Sequence, residues 1–280
     1  MRKNFEVIGF PIGHSMSPFI HKELFALKNI DAEYDKQEIS PETLSDVFES
    51  DLKKLDGFNI TIPHKVAIID LLDGLDKIAE EYGAVNTVVR RDGKYYGYNT
   101  DAYGFLKGLE FSGITLSGKV LVYGFGGAAR TIITECLRAD CEVYVGTLPS
   151  LIESAEKVVA EIAAKTGKSI KLISNDEIKG KFDLLVNATP VGMYPKVGVS
   201  PLTAEQVDLF DAVYDIVYNP QETELLRIAK QKGKVAGGGL SMLVCQAELA
   251  HTIWYGAEFT KEETKTVIEK SAREMEEVFK

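Results

Sequence analysis

The sequence predicts an α/β fold with two domains, and two observations carry that prediction. Short apolar segments with strand character alternate with helical segments along the chain, which indicates parallel sheets covered by helices on both faces. The length of 280 residues is more than one ordinary hydrophobic core fills, so two domains are expected. We place the boundary within residues 101–104, which gives an N-terminal domain over 1–103 and a second domain over 104–240.

The first domain is predicted to contain three strands, several helices and a hairpin. The strands are "FEVIGF", "AEYDKQEI" and "GFNITIP". A helix over "SPFIHKELFALKN" begins at a capping serine, Ser17, followed by a proline, and another helix covers "PETLSDVFES". Short helical stretches follow over 65–72 and 76–82, and "NTVVRRDGKYYGYNTD" is a predicted hairpin that turns at Asp92 and Gly93.

A second alternating series begins at Lys119. Its predicted strands are "KVLVYGF", "CEVYVG", "SIKLIS", "FDLLVNATP", "FDAVYDIVY" and "KVAGG". Its predicted helices end at Ala139, Thr166 and Gln231, and residues 241–280 are mostly helical. The series therefore predicts a second parallel sheet.

Composition and charge narrow the function classes. The net charge of −10 argues against nucleic acid as a partner. No apolar run reaches the roughly 18 residues of a membrane span, and "MRKNFEVIGF" lacks the features of a signal peptide, so a cytoplasmic protein is expected. Cys136, Cys141 and Cys245 are not in metal-ligand spacing, which predicts buried thiols and no metal site.

A glycine-rich turn gives the first functional indication. In "KVLVYGFGGAAR", the pattern Gly124-x-Gly126-x-x-Ala129 directly follows an apolar strand and precedes a helix. Gly124 would form the tight turn, Gly126 would let the backbone approach a pyrophosphate, and Ala129 would allow close helix–strand packing. The helix N-terminus would offer N–H groups to the phosphates. The second domain is therefore predicted to be Rossmann-like and to bind a dinucleotide; an ordinary glycine-rich turn is the alternative.

The residues leave the choice between NAD and NADP open. At the end of the next strand, an acidic residue usually binds the ribose 2′-hydroxyl of NAD, and an arginine accommodates the 2′-phosphate of NADP. The stretch "VYVGTLPS" contains neither. Thr147 and Ser150 could hydrogen-bond either ribose, and Arg130 either contributes or lies on the helix surface.

Polar residues of the first domain follow strand ends, where ligands collect in parallel sheets. Ser15 and Ser17 in "GHSMSP" could cradle a carboxylate, or Ser17 could act only as a helix cap. His14 could line the mouth of the pocket. Lys65 ends "NITIPHK", in which Pro63 interrupts the strand. The other strand-end side chains suited to a polyhydroxylated ring are Thr61, Asn86, Thr100 and Asp101.

Eight motifs occur in the order and spacing of shikimate dehydrogenase: "GHSMSPFIH", "NITIPHK", "GAVNT", "GYNTDAYGF", "GFGGAAR", "NATPVGMYP", "YDIVYNP" and "GGGLSMLVCQA". The chain therefore resembles the shikimate dehydrogenase family over nearly its whole length. The resemblance implies an N-terminal α/β substrate domain, a Rossmann-like NADP domain, and C-terminal helices, 241–280, that return to the first domain. It also implies reversible reduction of 3-dehydroshikimate to shikimate in chorismate and aromatic amino-acid biosynthesis.

The resemblance implies a role for individual residues as well. Lys65 and Asp101 would be the catalytic pair. The implied substrate-binding residues are Ser15, Ser17, Thr61, Asn86, Tyr218 and Gln246. The implied pyrophosphate-binding residues are Gly124, Phe125, Gly126, Gly127 and Ala128, and those beside the nicotinamide are Thr189, Met193, Ile216 and Gly239.

One stretch departs from the family pattern. Family members carry Asn-Arg-Thr and a further arginine where this chain has "GTLPS". NADP is the expected cofactor, and the missing arginine makes NAD possible. One alternative is therefore a quinate/shikimate dehydrogenase with NAD or dual cofactor use.

A second alternative is a ligand-sensing relative without catalysis. The carboxylate cradle predicted in "GHSMSP" does not support a folate-type dehydrogenase of similar architecture. The protein is expected to be a monomer or homodimer.

The residues themselves suggest how a ketone would be reduced. The nicotinamide supplies a hydride, and the developing alkoxide needs a proton donor within hydrogen-bond reach. A lysine carries a proton at neutral pH and stabilises negative charge on oxygen. From the residues alone Lys65 could be a solvated surface lysine and Asp101 a helix N-cap, but the resemblance selects this pair. Lys65 is therefore predicted to be the acid/base, with Asp101 as its orienting partner. His64 is the rival, but neighbours on an extended backbone point to opposite sides, so only one of the two would face the substrate.

Overall fold

A computed structural model of the protein describes residues 2–13 and 15–278. The chain divides into two compact units, Met1–Thr100 with Val244–Lys280, and Asp101–Leu243. The α-helices of the described residues are α1 (Ser17–Leu27), α2 (Leu44–Ser50), α3 (Lys77–Tyr82), α4 (Asp101–Phe111), α5 (Gly127–Arg138), α6 (Ile152–Thr166), α7 (Ala204–Val207), α8 (Glu224–Gln231), α9 (Leu240–Tyr255) and α10 (Lys261–Val278). None of these helices is long and apolar enough to cross a bilayer.

The first unit contains a six-stranded sheet in the order β2-β1-β3-β5-β6-β4. Its strands are β1 (Lys3–Gly9), β2 (Ala32–Glu38), β3 (Gly57–Ile60), β4 (Gly74–Leu75), β5 (Thr87–Arg91) and β6 (Lys94–Tyr98). Strand β1 runs parallel to β2 and β3, but β5 runs antiparallel to β3 and β6. The first sheet is therefore mixed rather than wholly parallel, because the predicted hairpin inserts both of its strands into it.

The hairpin itself is confirmed. Asp92 and Gly93 have φ values of 51° and 77°, and a two-residue type I′ hairpin turn requires positive φ at both of these positions. The helical stretch predicted over 65–72 is a short 3-10 helix over Ala67–Leu71. The second stretch is α3, and the Asp76 side chain caps it by accepting a hydrogen bond from Ala79 N at 2.8 Å.

The second unit contains a six-stranded parallel sheet in the order β12-β11-β10-β7-β8-β9. Its strands are β7 (Lys119–Tyr123), β8 (Glu142–Thr147), β9 (Lys171–Ser174), β10 (Phe182–Asn187), β11 (Phe210–Asp215) and β12 (Val235–Gly238). Alternate residues of β7 enter different cores: Val120 and Val122 pack with α5, whereas Leu121 and Tyr123 pack with α8. The sheet is therefore covered on both faces, as the alternation of elements predicts.

Candidate active site

Asn86 is the centre of a polar cluster in the first unit. It is buried and directly precedes β5. Its Nδ2 donates to Thr100 Oγ1 at 2.9 Å and to Gln246 Oε1 at 3.5 Å, and its Oδ1 accepts from Thr100 N at 2.8 Å. Gln246 lies on α9, 160 positions further along the chain. The structure therefore brings together two predicted substrate-binding residues that are distant in sequence.

Lys65 lies next to this cluster through its main chain. Its carbonyl oxygen accepts a hydrogen bond from Val85 N at 2.8 Å, one residue before Asn86. Strand β3 already ends at Ile60, and residues 62–66 form a turn. Pro63 therefore does not end the strand, contrary to the prediction. The Lys65 side chain is partly buried.

His64 is bound in the core of the first unit. Its side chain is buried, and Nε2 lies 2.7 Å from the carbonyl oxygen of Ile39, so Nε2 is the protonated nitrogen. Because this segment is a turn, the prediction that His64 and Lys65 point to opposite sides of an extended strand is wrong. What distinguishes the two side chains is that His64 is buried and hydrogen-bonded to the main chain, whereas Lys65 is partly exposed. His64 is therefore poorly placed to act as a general acid.

Ser15, Ser17 and Thr61 follow the ends of β1 and β3. Ser17 is the first residue of α1 rather than its cap, and Ser15 Oγ accepts from Ser17 N at 3.2 Å. The capping prediction for Ser17 was therefore wrong, and Ser15 makes that contact. Thr61 packs on the end of β1, where a Cβ at Gly9 would lie 2.5 Å from Thr61 Cγ2. His14 lies outside the described residues.

Asp101 is buried and is the first residue of α4, in the second unit. The prediction that it precedes the helix as an N-cap is therefore displaced by one position. A carboxylate in the first helical turn still lies at the positive end of the helix dipole.

The glycine turn of the second unit has the backbone that a dinucleotide site requires. Gly124 has a φ of +116°, and a Cβ there would lie 2.9 Å from the carbonyl oxygen of Ala188. At Gly126, a Cβ would meet no atom within 4 Å, so the space beside this residue is open. No side chain caps α5, which leaves its first N–H groups available to an anion. Ala129 is fully buried against the sheet. These features fit a pyrophosphate.

The turn that follows β8 carries no charged residue. Thr147, the last residue of β8, is buried, whereas Ser150 is exposed. Arg130, in the first turn of α5, forms an ion pair with Glu161, with 2.7 Å between Nη1 and Oε2. Arg130 is thus held against α6 by an acidic partner.

A buried hydrogen-bond network supports the loop after β10. Asp215 Oδ1 accepts from Asn187 Nδ2 at 2.9 Å and from Val217 N at 3.0 Å, and Oδ2 accepts from Thr223 Oγ1 at 2.7 Å. Asn187 Oδ1 in turn accepts from Thr189 Oγ1 at 2.7 Å. Burial raises the pKa of Asp215 to about 6, although its three donors act in the opposite direction. The network fixes the orientation of Thr189.

The remaining predicted cofactor residues, and the predicted substrate-binding residue Tyr218, follow strands at the same edge of the second sheet. Met193 is exposed, and Ile216 and Tyr218, which follow β11, are partly exposed, as are Phe125, Gly127 and Ala128 of the glycine turn. Gly239 is adjacent to Ile216, because a Cβ at Gly239 would lie 2.1 Å from the Ile216 carbonyl oxygen.

Sequence analysis missed Asn187 and Asp215 as parts of the site. Each is the last residue of an otherwise apolar strand. A polar side chain at the end of a buried strand was the signal available for both.

The glycine turn, the parallel sheet that carries it, and the strand-end polar residues define the class of NAD(P)-dependent oxidoreductases. A family model described as the shikimate dehydrogenase substrate binding domain matches residues 7–88. A Shouchella clausii protein named shikimate dehydrogenase (NADP(+)) is 40% identical over 260 residues, covering 91% of this chain and 94% of that protein. The chain belongs to the shikimate dehydrogenase family.

Two solved structures extend this comparison. The Thermus thermophilus shikimate 5-dehydrogenase in complex with NADP(H) and shikimate has a TM-score of 0.84 at 33% identity, covering 97% of this chain and 100% of that chain. The Listeria monocytogenes shikimate 5-dehydrogenase in complex with shikimate and NAD has a TM-score of 0.81 at 32% identity, covering 95% and 96%. The two-domain α/β fold predicted from the sequence is confirmed.

Proposed function

We propose that this protein reduces 3-dehydroshikimate to shikimate reversibly, with NADP, in the biosynthesis of chorismate and the aromatic amino acids. The observation that carries the proposal is the Asn86 cluster, in which Asn86, Thr100 and Gln246 meet beside the main chain of Lys65. Amide and hydroxyl groups of this kind suit the hydroxyl groups of a cyclic acid, which both donate and accept hydrogen bonds.

The substrate is proposed to be held by the residues that the sequence resemblance implies. Ser15 and Ser17 are proposed to bind its carboxylate, because their hydroxyls and the first N–H groups of α1 supply donors beside a partly exposed helix start. Thr61, Asn86, Gln246 and, from the second unit, Tyr218 are proposed to bind the ring hydroxyls. The rigid hydrogen-bonding of Asn86 to Thr100 would hold its amide in one orientation before substrate arrives.

Lys65 is proposed to carry the reacting proton. In the reducing direction its ammonium group would donate a proton to the carbonyl oxygen as negative charge develops there, and in the oxidising direction the neutral amine would accept it. Asp101 is proposed to orient the Lys65 side chain. The hydrogen bond from Val85 N to the Lys65 carbonyl oxygen holds the backbone from which the Lys65 side chain extends.

A nicotinamide dinucleotide, when bound, supplies or accepts the hydride. Gly124, Phe125, Gly126, Gly127 and Ala128 are proposed to bind its pyrophosphate, and Thr147 its ribose. Thr189, Met193, Ile216 and Gly239 are proposed to lie beside the nicotinamide. The Asp215–Asn187 network would keep Thr189 in place and so help to position the ring.

A second candidate, a quinate/shikimate dehydrogenase with NAD or dual cofactor use, is favoured by the turn after β8. That turn lacks both an acid and a base, and the nearby Arg130 is paired with Glu161. An arginine already neutralised by a carboxylate attracts a 2′-phosphate less strongly than a free one. NADP remains our proposal, and the ratio of the two activities is the measurement that separates the candidates.

The test is a matrix of shikimate and quinate, each with NAD and NADP, followed by absorbance of the reduced cofactor. Turnover of shikimate with NADP is expected, and the absence of turnover with both acids would overturn the proposal. Lys65→Ala is expected to lower kcat about 100-fold or more while shikimate still binds. The matched control is Lys94→Ala, at an exposed hairpin position, which should keep wild-type kcat. Near wild-type turnover by Lys65→Ala would exclude the acid/base role.

We also propose a cytoplasmic monomer or homodimer. Cys136, Cys141 and Cys245 are all buried and none of them is in a disulfide, which suits a reducing compartment. Fractionation of cells and light scattering of the purified protein would test the two statements separately.

A further inference from the structure

Tyr34, on strand β2, occupies a position where two sets of contacts in the first unit meet. Its hydroxyl donates a hydrogen bond to Asn59 Oδ1 at 2.7 Å. Its ring is stacked on His21, with 3.9 Å between centroids and 6° between planes. A side chain held by a short hydrogen bond at one end and a stacked ring along its face has little freedom to move.

The hydrogen-bond route leads from Tyr34 to the proposed substrate-binding residues. Asn59 Nδ2 donates to Thr87 Oγ1 at 3.0 Å and to the Asn86 carbonyl oxygen at 3.2 Å. Thr87 Oγ1 donates to Asn86 Oδ1 at 3.1 Å, and Asn86 Nδ2 reaches Gln246 on α9. The partners of Nδ2 also fix the orientation of the Asn59 amide, because only its Oδ1 can then face the Tyr34 hydroxyl.

The aromatic route reaches the same helix independently. His21 Nδ1 lies 3.0 Å from His251 Nε2, and both rings are buried. Burial lowers the pKa of His251 to about 3 and that of His21 well below its ordinary value, so both rings stay neutral and one nitrogen of the pair donates to the other. His251 lies on α9, as Gln246 does. Tyr34 is therefore joined to α9 twice.

The Tyr34 phenol remains a hydrogen-bond donor at neutral pH, because burial raises its pKa well above the ordinary value. The hydroxyl therefore keeps its bond to Asn59 Oδ1, and Asn59 is the first member of the chain to Asn86.

We propose that Tyr34 is a positioning residue for the substrate site, because its hydroxyl fixes the Asn59–Thr87–Asn86 chain. This inference rests on the proposed function. Without the Tyr34 hydroxyl, Asn59 Oδ1 loses its donor, and the Asn59 amide gains freedom that is transmitted to the Asn86 side chain. The loss falls on the ground-state binding of shikimate and leaves the Lys65 proton transfer intact.

The test compares Tyr34→Phe with Tyr95→Phe. Both variants lose a hydroxyl that makes one short hydrogen bond in the same unit, since Tyr95 Oη donates to the Lys53 carbonyl oxygen at 2.6 Å, away from the Asn86 cluster. Tyr34→Phe keeps an aromatic ring to stack on His21. We expect KM for shikimate to rise about 5- to 10-fold in Tyr34→Phe, with kcat within about twofold and KM for NADP unchanged. Tyr95→Phe should leave all three constants unchanged.

A second variant, Thr87→Val, perturbs the same chain from its other end. It should also raise KM for shikimate, and in Tyr34→Phe/Thr87→Val the combined effect should be smaller than the product of the two, because both act on Asn59. An unchanged KM in Tyr34→Phe, an equal rise in KM for NADP, or fully multiplicative effects would overturn the positioning role. Wild-type and Tyr95→Phe turnover report on the proposed function itself, so its failure is distinguishable from failure of the Tyr34 proposal.

Discussion

Gly126 and Gly124 should respond in opposite ways to the same substitution. Gly126 has φ −74° and ψ −171°, which any residue adopts, and a Cβ there would meet no atom within 4 Å. Gly126→Ala should therefore leave the fold intact, and its unfolding free energy should stay the same or rise by about 0.4–1 kcal/mol, because alanine restricts the unfolded chain. The new methyl group would occupy the space proposed for the pyrophosphate, so KM for NADP should rise about tenfold or more.

Gly124→Ala is the matched comparison. Its φ of +116° costs a residue with a Cβ about 1–3 kcal/mol, and the methyl would also lie 2.9 Å from both the Ala188 carbonyl oxygen and Thr189 Cγ2. This variant should therefore be less stable than the wild type by about 2 kcal/mol or more. Each variant adds one methyl group to the same loop. Only Gly126→Ala should weaken cofactor binding without lowering the stability of the fold.

Urea unfolding followed by circular dichroism gives the two free energies, and titration with NADPH followed by nucleotide fluorescence gives the affinities. Shikimate binding, measured by calorimetry, should be unchanged in Gly126→Ala. Wild-type affinity for NADPH in that variant would refute the assignment of the open space to the pyrophosphate. A marked loss of stability in the same variant would refute the conformational argument.

Two further predictions concern the first unit. Burial raises the pKa of Glu248 to about 7, so the folded state holds this proton more tightly than the unfolded chain, and stability falls as pH rises from about 4.5 to 7. Glu248→Gln should therefore stabilise the protein by about 1–3 kcal/mol at pH 8 and by little at pH 4.5, and equal effects at both pH values in urea unfolding would contradict the cause given. Trp254→Phe should cost about 1–3 kcal/mol, because Trp254 Nε1 donates to the buried Val88 carbonyl oxygen at 3.0 Å. Circular dichroism suits this measurement since Trp254 is the single tryptophan, and unchanged stability would show that the bond contributes nothing.

Features governed by neighbouring residues could be predicted from the sequence. The hairpin turn at Asp92 and Gly93 and the glycine turn at Gly124 both depend on local backbone conformation, and both have the expected φ values. The all-parallel second sheet follows from alternating strands and helices, because each helix returns the chain to the same edge. Motif order then indicated the family and, with it, candidate residues.

Features set by distant contacts could not be predicted. The pairing of Asn86 with Gln246 joins positions 160 residues apart, and no local pattern reports it. His64 was excluded as the general acid for the wrong reason. Its side chain is buried and bonded to the carbonyl oxygen of Ile39, which follows β2 and is 25 positions away in the sequence. Tyr34 appeared only as part of the predicted strand "AEYDKQEI", and its proposed role depends on His21 and Asn59 being brought beside it.

The aromatic cluster of the first unit sets an order of events during synthesis on the ribosome. Phe5 of β1 packs on Trp254 of α9, with 4.4 Å between ring centroids. At roughly 5–20 residues per second, the ribosome needs on the order of 12–50 s to add the intervening residues. The second unit, Asp101–Leu243, is contiguous and can fold while the first still waits for Val244–Lys280. The first strand to leave the ribosome therefore belongs to the last unit to be completed, and its apolar face needs protection until the C-terminal helices are released.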